Sequence, residues 1–115
     1  MSRVRHTNTL VIADRSFLFW PQIETVDISL VDDIPRVLDV LQTIRSNFKI
    51  GNAFMADEFH VVNSPKVCRE FEQALQGIAL AFEPHMVFKK RVPLAIGLIR
   101  TGDTVQHANM ILESA

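Results

Sequence analysis

Residues Ala53–Cys68 read AFMADEFHVVNSPKVC and pass from an apolar run into the start of a helix. Asn63 and Ser64 can cap that helix, and Pro65 suits its first position because no amide hydrogen is needed there. The residues before the cap suit a strand, but neither strand face is purely apolar, so we expect a bulge or turn near 56–58. The stretch therefore predicts a strand that leads directly into a capped helix.

Apolar residues at helical spacing on either side of this strand predict two helices. The first begins at Asp32 or Asp33, because an acidic residue suits the positive end of a helix, and it ends at Gly51. The second follows the proline of the cap and ends at Pro84, although Gly77 weakens it by about 1 kcal/mol. The apolar positions are Ile34, Val37, Leu38, Leu41, Ile44 and Phe48 in the first helix, and Val67, Phe71, Leu75, Ile78 and Phe82 in the second.

The rest of the chain reads as extended segments. Residues 8–13 and 23–30 are rich in β-formers, residues 85–92 (HMVFKKRV) predict a further strand, and residues 93–112 predict a hairpin with Gly102 in its turn. The predicted fold class is α+β, with a mostly antiparallel sheet of about five strands and two helices on one face. The expected element order is β-β-α-β-α-β-β.

The composition limits the class of protein. A chain of 115 residues that is 48% hydrophobic and 22% charged is expected to form a single domain over residues 1–115. The net charge of −1 argues against a dedicated nucleic-acid binder. The single cysteine, Cys68, favours a cytoplasmic location, as does an N-terminus without the apolar core of a signal peptide. The longest apolar run, residues 92–99, is far too short to cross a membrane, so no membrane contact is predicted.

Glu58 and His60 are the strongest catalytic or metal-binding candidates. The chain carries none of the common nucleotide, zinc-protease or serine-hydrolase motifs, so neither a cofactor nor a metal is predicted. Residues two apart on a strand point the same way, so this carboxylate and imidazole could share one site for acid–base chemistry. His85 or His107 could complete a metal site. The alternative interpretation is a polar strand end before the helix cap.

Charge is segregated along the chain. An acidic cluster could attract a basic protein partner, although helix capping and solvation explain the same residues. A basic cluster could contact the phosphates of a nucleic acid, or could be a solvated face or match another copy of the chain. The acidic cluster contains Glu24, Asp27, Asp32, Asp33 and Asp39. The basic cluster contains Lys89, Lys90 and Arg91, with Arg100 further along the chain and with Arg3 and Arg5 added from the N-terminus.

Two predicted strands carry apolar side chains on both faces. Phe17 and Phe19 alternate with Leu18 and Trp20, and residues 94–99 are apolar or glycine throughout. Two helices on one face cannot cover both sides of such strands. We therefore expect a partner, most simply a second copy of the chain, to cover the second sheet face. A sheet that curls and closes on itself is the alternative.

These features predict a small non-catalytic protein-binding module that acts as a homodimer or with a foreign protein. It would be an immunity-type protein, which neutralises a toxin, or a regulatory protein. A small enzyme or metal-binding protein that uses Glu58 and His60 is the first alternative, and a nucleic-acid contact through residues 89–91 is the second. The expected partner contacts are Trp20, Phe19, Glu24, Asp27, Asp32 and Asp33.

Overall fold

The computed structural model describes residues 8–17 and 20–115, and these residues form a six-stranded sheet flanked by helices. The strands are β1 (Thr9–Ala13), β2 (Thr25–Asp27), β3 (Ile50–Ala56), β4 (Ala79–Glu83), β5 (Gly97–Arg100) and β6 (Met110–Ser114). The α-helices are α1 (Val37–Asn47), α2 (Glu58–Val62), α3 (Pro65–Ala74) and α4 (His85–Arg91), followed by a short 3-10 helix at Val92–Leu94. The predicted α+β class is confirmed, but the described residues hold four α-helices where two were expected.

The sheet is mixed rather than mostly antiparallel. Its strand order is β2-β5-β1-β6-β3-β4. β5 runs parallel to both β1 and β2, and β4 runs parallel to β3, whereas β6 is antiparallel to its neighbours β1 and β3. Parallel neighbours need a crossover connection, and α2 with α3 provides one between β3 and β4. The prediction of a mostly antiparallel sheet with about five strands is therefore wrong. The predicted element order is wrong as well.

β5 and β6 do not form the predicted hairpin, because β1 lies between them. Ala13 of β1 pairs with Arg100 of β5, while Ile12 pairs with Met110 of β6, so the two strands meet opposite edges of β1. Both strands are internal in the sheet and can be buried on two faces. This position explains why their sequences are apolar at successive residues.

Helix α4 occupies residues 85–91, where the sequence predicted a strand. Its Phe88 and the following Val92 are fully buried against the sheet face formed by β1, β5 and β6. These two residues are four apart, which is the spacing of one helix face. The chain itself therefore covers the second sheet face, and the prediction of two helices on one face, with a partner over the other, is wrong.

Helices α1, α2 and α3 cover the opposite face of the sheet. Leu41 of α1, Phe59 of α2 and Phe71 of α3 pack with Met55 of β3 and Met110 of β6 in one buried apolar cluster. Each face of the sheet thus packs with its helices into a separate apolar core, and the sheet lies between the two cores.

Helix α1 begins at Val37, later than the predicted start at Asp32 or Asp33. The first amide of the helix donates to the carboxylate of Asp103 at 2.9 Å, so the stabilising acid comes from a distant loop. Asp33 has a left-handed backbone (φ 66°) and accepts hydrogen bonds from the amide and hydroxyl of Thr104 at 3.0 and 2.7 Å. These contacts tie the loop before α1 to the loop after β5.

Helix α3 begins as predicted but ends early. The Ser64 hydroxyl accepts from the amide of Val67 at 3.3 Å, with proline at the first helical position. The helix stops at Ala74 and β4 begins at residue 79, so the prediction of a helix as far as Pro84 is wrong. Gly77 has φ 88°, a left-handed conformation that ends helices. None of the helices in the described part of the chain is long and apolar enough to span a bilayer.

Gly102 packs tightly against the loop that precedes α1. Its amide donates to the carbonyl of Pro35 at 2.8 Å. A Cβ atom at residue 102 would lie 2.9 Å from the carbonyl oxygen of Ile34 and closer still to that of Val31. The position therefore accepts glycine alone without a shift of the neighbouring backbone.

We expect Gly102→Ala to lower the free energy of unfolding by about 1–3 kcal/mol, because the loop must move to admit the methyl group. Gly97→Ala is the matched control, since its added Cβ would lie 3.5 Å from the nearest atom, an ordinary contact. Urea denaturation followed by circular dichroism measures both. Equal losses for the two variants would contradict the packing argument.

Candidate functional site

A cavity of about 320 Å³ opens beside the carboxyl end of β1. Three segments form most of its wall: the turn at residues 14–17, helix α4, and the loop at residues 104–109 that leads into β6. They converge because β6 is a direct neighbour of β1 and α4 packs on the face that these strands share. A cavity of this size suits a small molecule.

Asp14 is the acidic group of this cavity. It follows the last residue of β1 and is 6% exposed. Its carboxylate accepts a hydrogen bond from the amide of Ser16 at 2.9 Å, and its own amide donates to Oδ1 of Asn109 at 2.6 Å. Burial raises the pKa of Asp14 above its ordinary value, and the charge of Asp103 adds to that, while the Ser16 amide and His107 oppose it. The carboxyl thus keeps its proton to a higher pH than an exposed aspartate.

His85 of α4 and His107 of the loop before β6 face each other at the cavity. Their ring centroids are 5.0 Å apart and the rings are nearly perpendicular. Burial lowers the pKa of His85, and the charges of His107 and Lys89 lower it further. Nδ1 of His85 is buried and has no hydrogen-bond partner among residues 8–17 and 20–115. The surroundings of His85 therefore favour the neutral form of its imidazole, whose Nδ1 has unused hydrogen-bonding capacity.

The backbone of His107 is in the left-handed region, with φ 57°. Such a conformation is uncommon outside glycine, and residues held in it are enriched at functional sites. Here it accompanies a histidine ring directed at a second histidine beside the cavity. The cavity therefore combines a carboxyl of raised pKa with an imidazole of lowered pKa, which is a suitable pair for general acid–base catalysis.

Glu58 and His60 do not share a site in this structure. Both lie on α2 rather than on a strand, and residues two apart on a helix point in different directions. The carboxylate of Glu58 accepts from the backbone amide of His85 at 3.0 Å, at the start of α4. His60 is exposed and its ring lies 4.1 Å from that of Phe82, between centroids. No group of three possible metal ligands occurs in the part of the chain that the structure describes.

Two of the acidic residues predicted as partner contacts, Asp27 and Asp32, already have partners within the chain. Asp32 forms an ion pair with Arg15, and Asp27 accepts from the amide and hydroxyl of Ser29 at 3.0 and 2.6 Å. Trp20 lies in the cavity wall, and Phe19 falls outside the described residues. The role of these residues in partner binding stays a prediction.

The basic residues of α4 have different surroundings. Arg91 donates to both carboxylate oxygens of Glu83, and its guanidinium carbon lies 4.1 Å from the centroid of the Phe54 ring. Lys89 lines the cavity and Lys90 is exposed. A nucleic-acid contact through these three residues stays a prediction, but one of them is already engaged within the chain.

Sequence reasoning missed Asp14, Asn109 and the pairing of His85 with His107. A signal for the first two exists, since Asp14 follows one apolar strand directly and Asn109 precedes another. This signal indicates a shared site only when β1 and β6 are known to be neighbours. The two histidines were noted singly, but α4 was predicted as a strand.

The coupling between the two histidines can be measured. Replacing His107 with Ala removes a positive charge near His85, so we expect the pKa of His85 to rise. Side-chain nitrogen NMR across a pH titration reports this value directly. His60→Ala is the control, since this exposed ring is not among the groups that shift the pKa of His85, and it should leave that pKa unchanged. An unchanged or lower His85 pKa in the His107 variant would contradict the geometry.

The chain is similar to known proteins over almost its whole length. Residues 1–115 match the model of the RbsD / FucU transport protein family. The chain is 32% identical to a D-ribose pyranase of Bacillus cereus (strain B4264) and 35% identical to one of Chromobacterium violaceum, each over 114 residues. Both alignments cover 99% of this chain and 86% of the relative.

Solved structures share the fold. Bacillus subtilis RbsD complexed with D-ribose superposes with a TM-score of 0.88 at 24% identity, covering 96% of this chain and 83% of the other. The fucose mutarotase from Streptococcus pneumoniae, in complex with L-fucose, gives a TM-score of 0.80 at 17% identity, covering 96% and 84%. At these identities the structures support the fold alone.

The named relatives are enzymes, which overturns the main functional prediction. A non-catalytic immunity-type or regulatory binding module is wrong, because the family match and the D-ribose pyranases cover almost the entire chain. The first alternative, a small enzyme, agrees better with these relatives, although the cavity is lined by residues other than Glu58 and His60.

Proposed function

This chain belongs to the RbsD / FucU transport protein family, and we propose that it interconverts the ring forms of a monosaccharide with a free anomeric centre. The observation that carries the proposal is the cavity lined by both Asp14, whose pKa is raised, and His85, whose pKa is lowered. D-ribose pyranases are relatives over 99% of the chain, which makes a pentose the first substrate to test.

Opening of a sugar ring needs one base and one acid. A base removes the proton of the anomeric hydroxyl, the bond between the anomeric carbon and the ring oxygen breaks, and an acid protonates that oxygen. The open-chain aldehyde then closes again, either onto the other face of its carbonyl or through a different hydroxyl. His85, with its lowered pKa, is the proposed base, and Asp14, with its raised pKa, is the proposed acid.

Other residues of the cavity suit a sugar. Lys89 lies in the wall, and a lysine ammonium can donate hydrogen bonds to hydroxyl groups. Trp20 and Phe17 add apolar surface on which the carbon face of a sugar ring can pack. Phe17 is itself fixed by edge-to-face packing on Phe88, with centroids 6.4 Å apart.

We also infer self-association, because apolar side chains are exposed at the β2 edge of the sheet. Within residues 8–17 and 20–115, β2 pairs with β5 alone, so its outer edge is a candidate contact for another chain. Leu30 is 78% exposed and Val31 is 57% exposed in the segment that follows. The exposed apolar residues of this region are Val26, Ile28, Leu30, Val31 and Ile34. A cytoplasmic location remains part of the proposal, supported by the single unpaired thiol of Cys68.

We expect the protein to speed the exchange between the ring forms of D-ribose, measured by exchange NMR on sugar labelled at the anomeric carbon. L-Fucose serves as the second sugar. Asp14→Asn and His85→Gln should each lower the catalysed rate by about 10²–10⁴-fold, the contribution of one acid or base. Asp57→Asn is the matched control, since this exposed carboxyl makes no capping hydrogen bond to α2.

Two results would contradict the proposal. One is a wild-type protein that accelerates ring exchange in neither sugar. The other is full activity in Asp14→Asn combined with a large loss in His60→Gln, which would return the site to the region of Glu58 and His60.

The pH dependence of the catalysed rate follows from the lowered pKa of His85 and the raised pKa of Asp14. The rate should depend on the neutral form of His85, which gives a limb that rises with pH, and on the protonated form of Asp14, which gives a limb that falls with pH. A lowered His85 pKa and a raised Asp14 pKa both increase the fraction of protein in the required state. Asp14→Asn should remove the high-pH limb from the residual rate. A profile that keeps this limb unchanged in the variant would assign the acid to another group.

A further inference from the structure

We propose that Arg100 is a positioning residue for the candidate acid Asp14, and that it acts through the backbone of the turn at residues 14–17. The inference rests on the proposed function for its kinetic consequence. Its structural content, the placement of the Asp14 carboxyl, can be tested without any catalysis.

Arg100 is the last residue of β5 and lies beside Ala13, the last residue of β1, in the parallel register of the sheet. Its guanidinium extends beneath the turn that follows β1. Nη1 donates to the carbonyl oxygen of Arg15 at 2.9 Å, and Nη2 donates to that of Phe17 at 2.5 Å. The planar guanidinium suits this task because its donors have a fixed fork geometry.

The bridged carbonyls determine where the amide of Ser16 points. The carbonyl of Arg15 and the amide of Ser16 belong to the same planar peptide group, so fixing one fixes the other. That amide donates to the Asp14 carboxylate at 2.9 Å. Arg100 therefore orients, through one peptide plane, the hydrogen bond that holds the side chain of Asp14.

The amide of Arg15 gives the turn a second anchor by donating to the carbonyl of Asp103 at 2.9 Å. The direct amide-to-carbonyl bond across the turn, from Phe17 to Asp14, is long at 3.4 Å. A turn with one weak internal bond depends on its external donors, and Arg100 supplies two of them.

The charged groups near Asp14 are distinct from Arg100. Asp103 and His107 act on the Asp14 carboxyl through their charges, and His85 and Lys89 lie across the same cavity. The influence of Arg100 thus depends on its hydrogen bonds to the turn. Loss of the bridge should free the Ser16 amide, and since that bond lowers the pKa of Asp14, the pKa should rise further.

The test compares Arg100→Met and Arg100→Lys with Arg15→Met. Arg15 is the matched control because its side chain is 53% exposed and paired with Asp32, while its carbonyl stays in place in the variant. Arg15→Met also removes one positive charge near the turn, but it removes no side-chain donor to the backbone of the turn. Arg100→Lys keeps the charge but lacks the planar fork.

Carbon NMR of the Asp14 side-chain carboxyl, followed across pH, is the primary readout, with unfolding midpoints recorded for each variant. We expect both Arg100 variants to raise the Asp14 pKa and to lower kcat by about tenfold with a smaller change in KM, because a misplaced acid impairs the chemical step. Arg15→Met should change neither the Asp14 titration nor kcat.

An Asp14 titration that is unchanged in Arg100→Lys would overturn the inference, because charge alone would then suffice. The same shift in Arg15→Met as in the Arg100 variants would also overturn it. If Arg100→Met does not fold, Arg100→Lys decides the question by the same two readouts. If the wild-type protein shows no ring exchange, the proposed function fails, but the titration still reports whether Arg100 places Asp14.

Discussion

The burial of β1 on both faces is the constraint on which the rest of the structure depends. Val11, Ile12 and Ala13 are each completely buried. Successive side chains point to opposite faces, so Ile12 packs into the core beneath α1–α3, while Val11 and Ala13 pack into the core beneath α4. One short strand thus fixes two layers of helices relative to each other. The first residue beyond it, Asp14, is where loops from both layers meet.

The candidate site lies where these loops meet, at the end of β1. Burial beside the sheet shifts the pKa of Asp14 upward and that of His85 downward, because each group is less stable in its charged form away from water. One physical cause thus shifts the two pKa values in opposite directions, which favours the proposed roles of Asp14 as the acid and His85 as the base. Glu58 of α2 does not line the cavity. Its carboxylate accepts a hydrogen bond from the backbone amide of His85, and it thereby stabilises the start of α4.

The sequence predicted local structure better than topology. The cap at Ser64 and Pro65 follows from nearby residues and was correct. Helix α4 was missed because its apolar positions, Phe88 and Val92, also fit a strand, and only burial against the sheet decides between the two. The strand order depends on pairing between distant residues, such as Ala13 with Arg100, which no local pattern specifies. The candidate site could not be assembled beforehand, because its wall comes from three segments joined by that topology.

The most direct test of the central claim, that a sugar occupies the cavity at the end of β1, is to observe Trp20 during sugar titration. This residue is the only tryptophan in the chain, so the protein has one indole N–H resonance. Its Nε1 is buried without a hydrogen-bond partner in the described part of the chain, and its ring lies in the cavity wall. We expect D-ribose or L-fucose to shift this resonance together with the ring signals of His85 and His107, while His60 stays unchanged. Shifts confined to residues far from the cavity, or a shift at none of these groups at saturating sugar, would contradict the account.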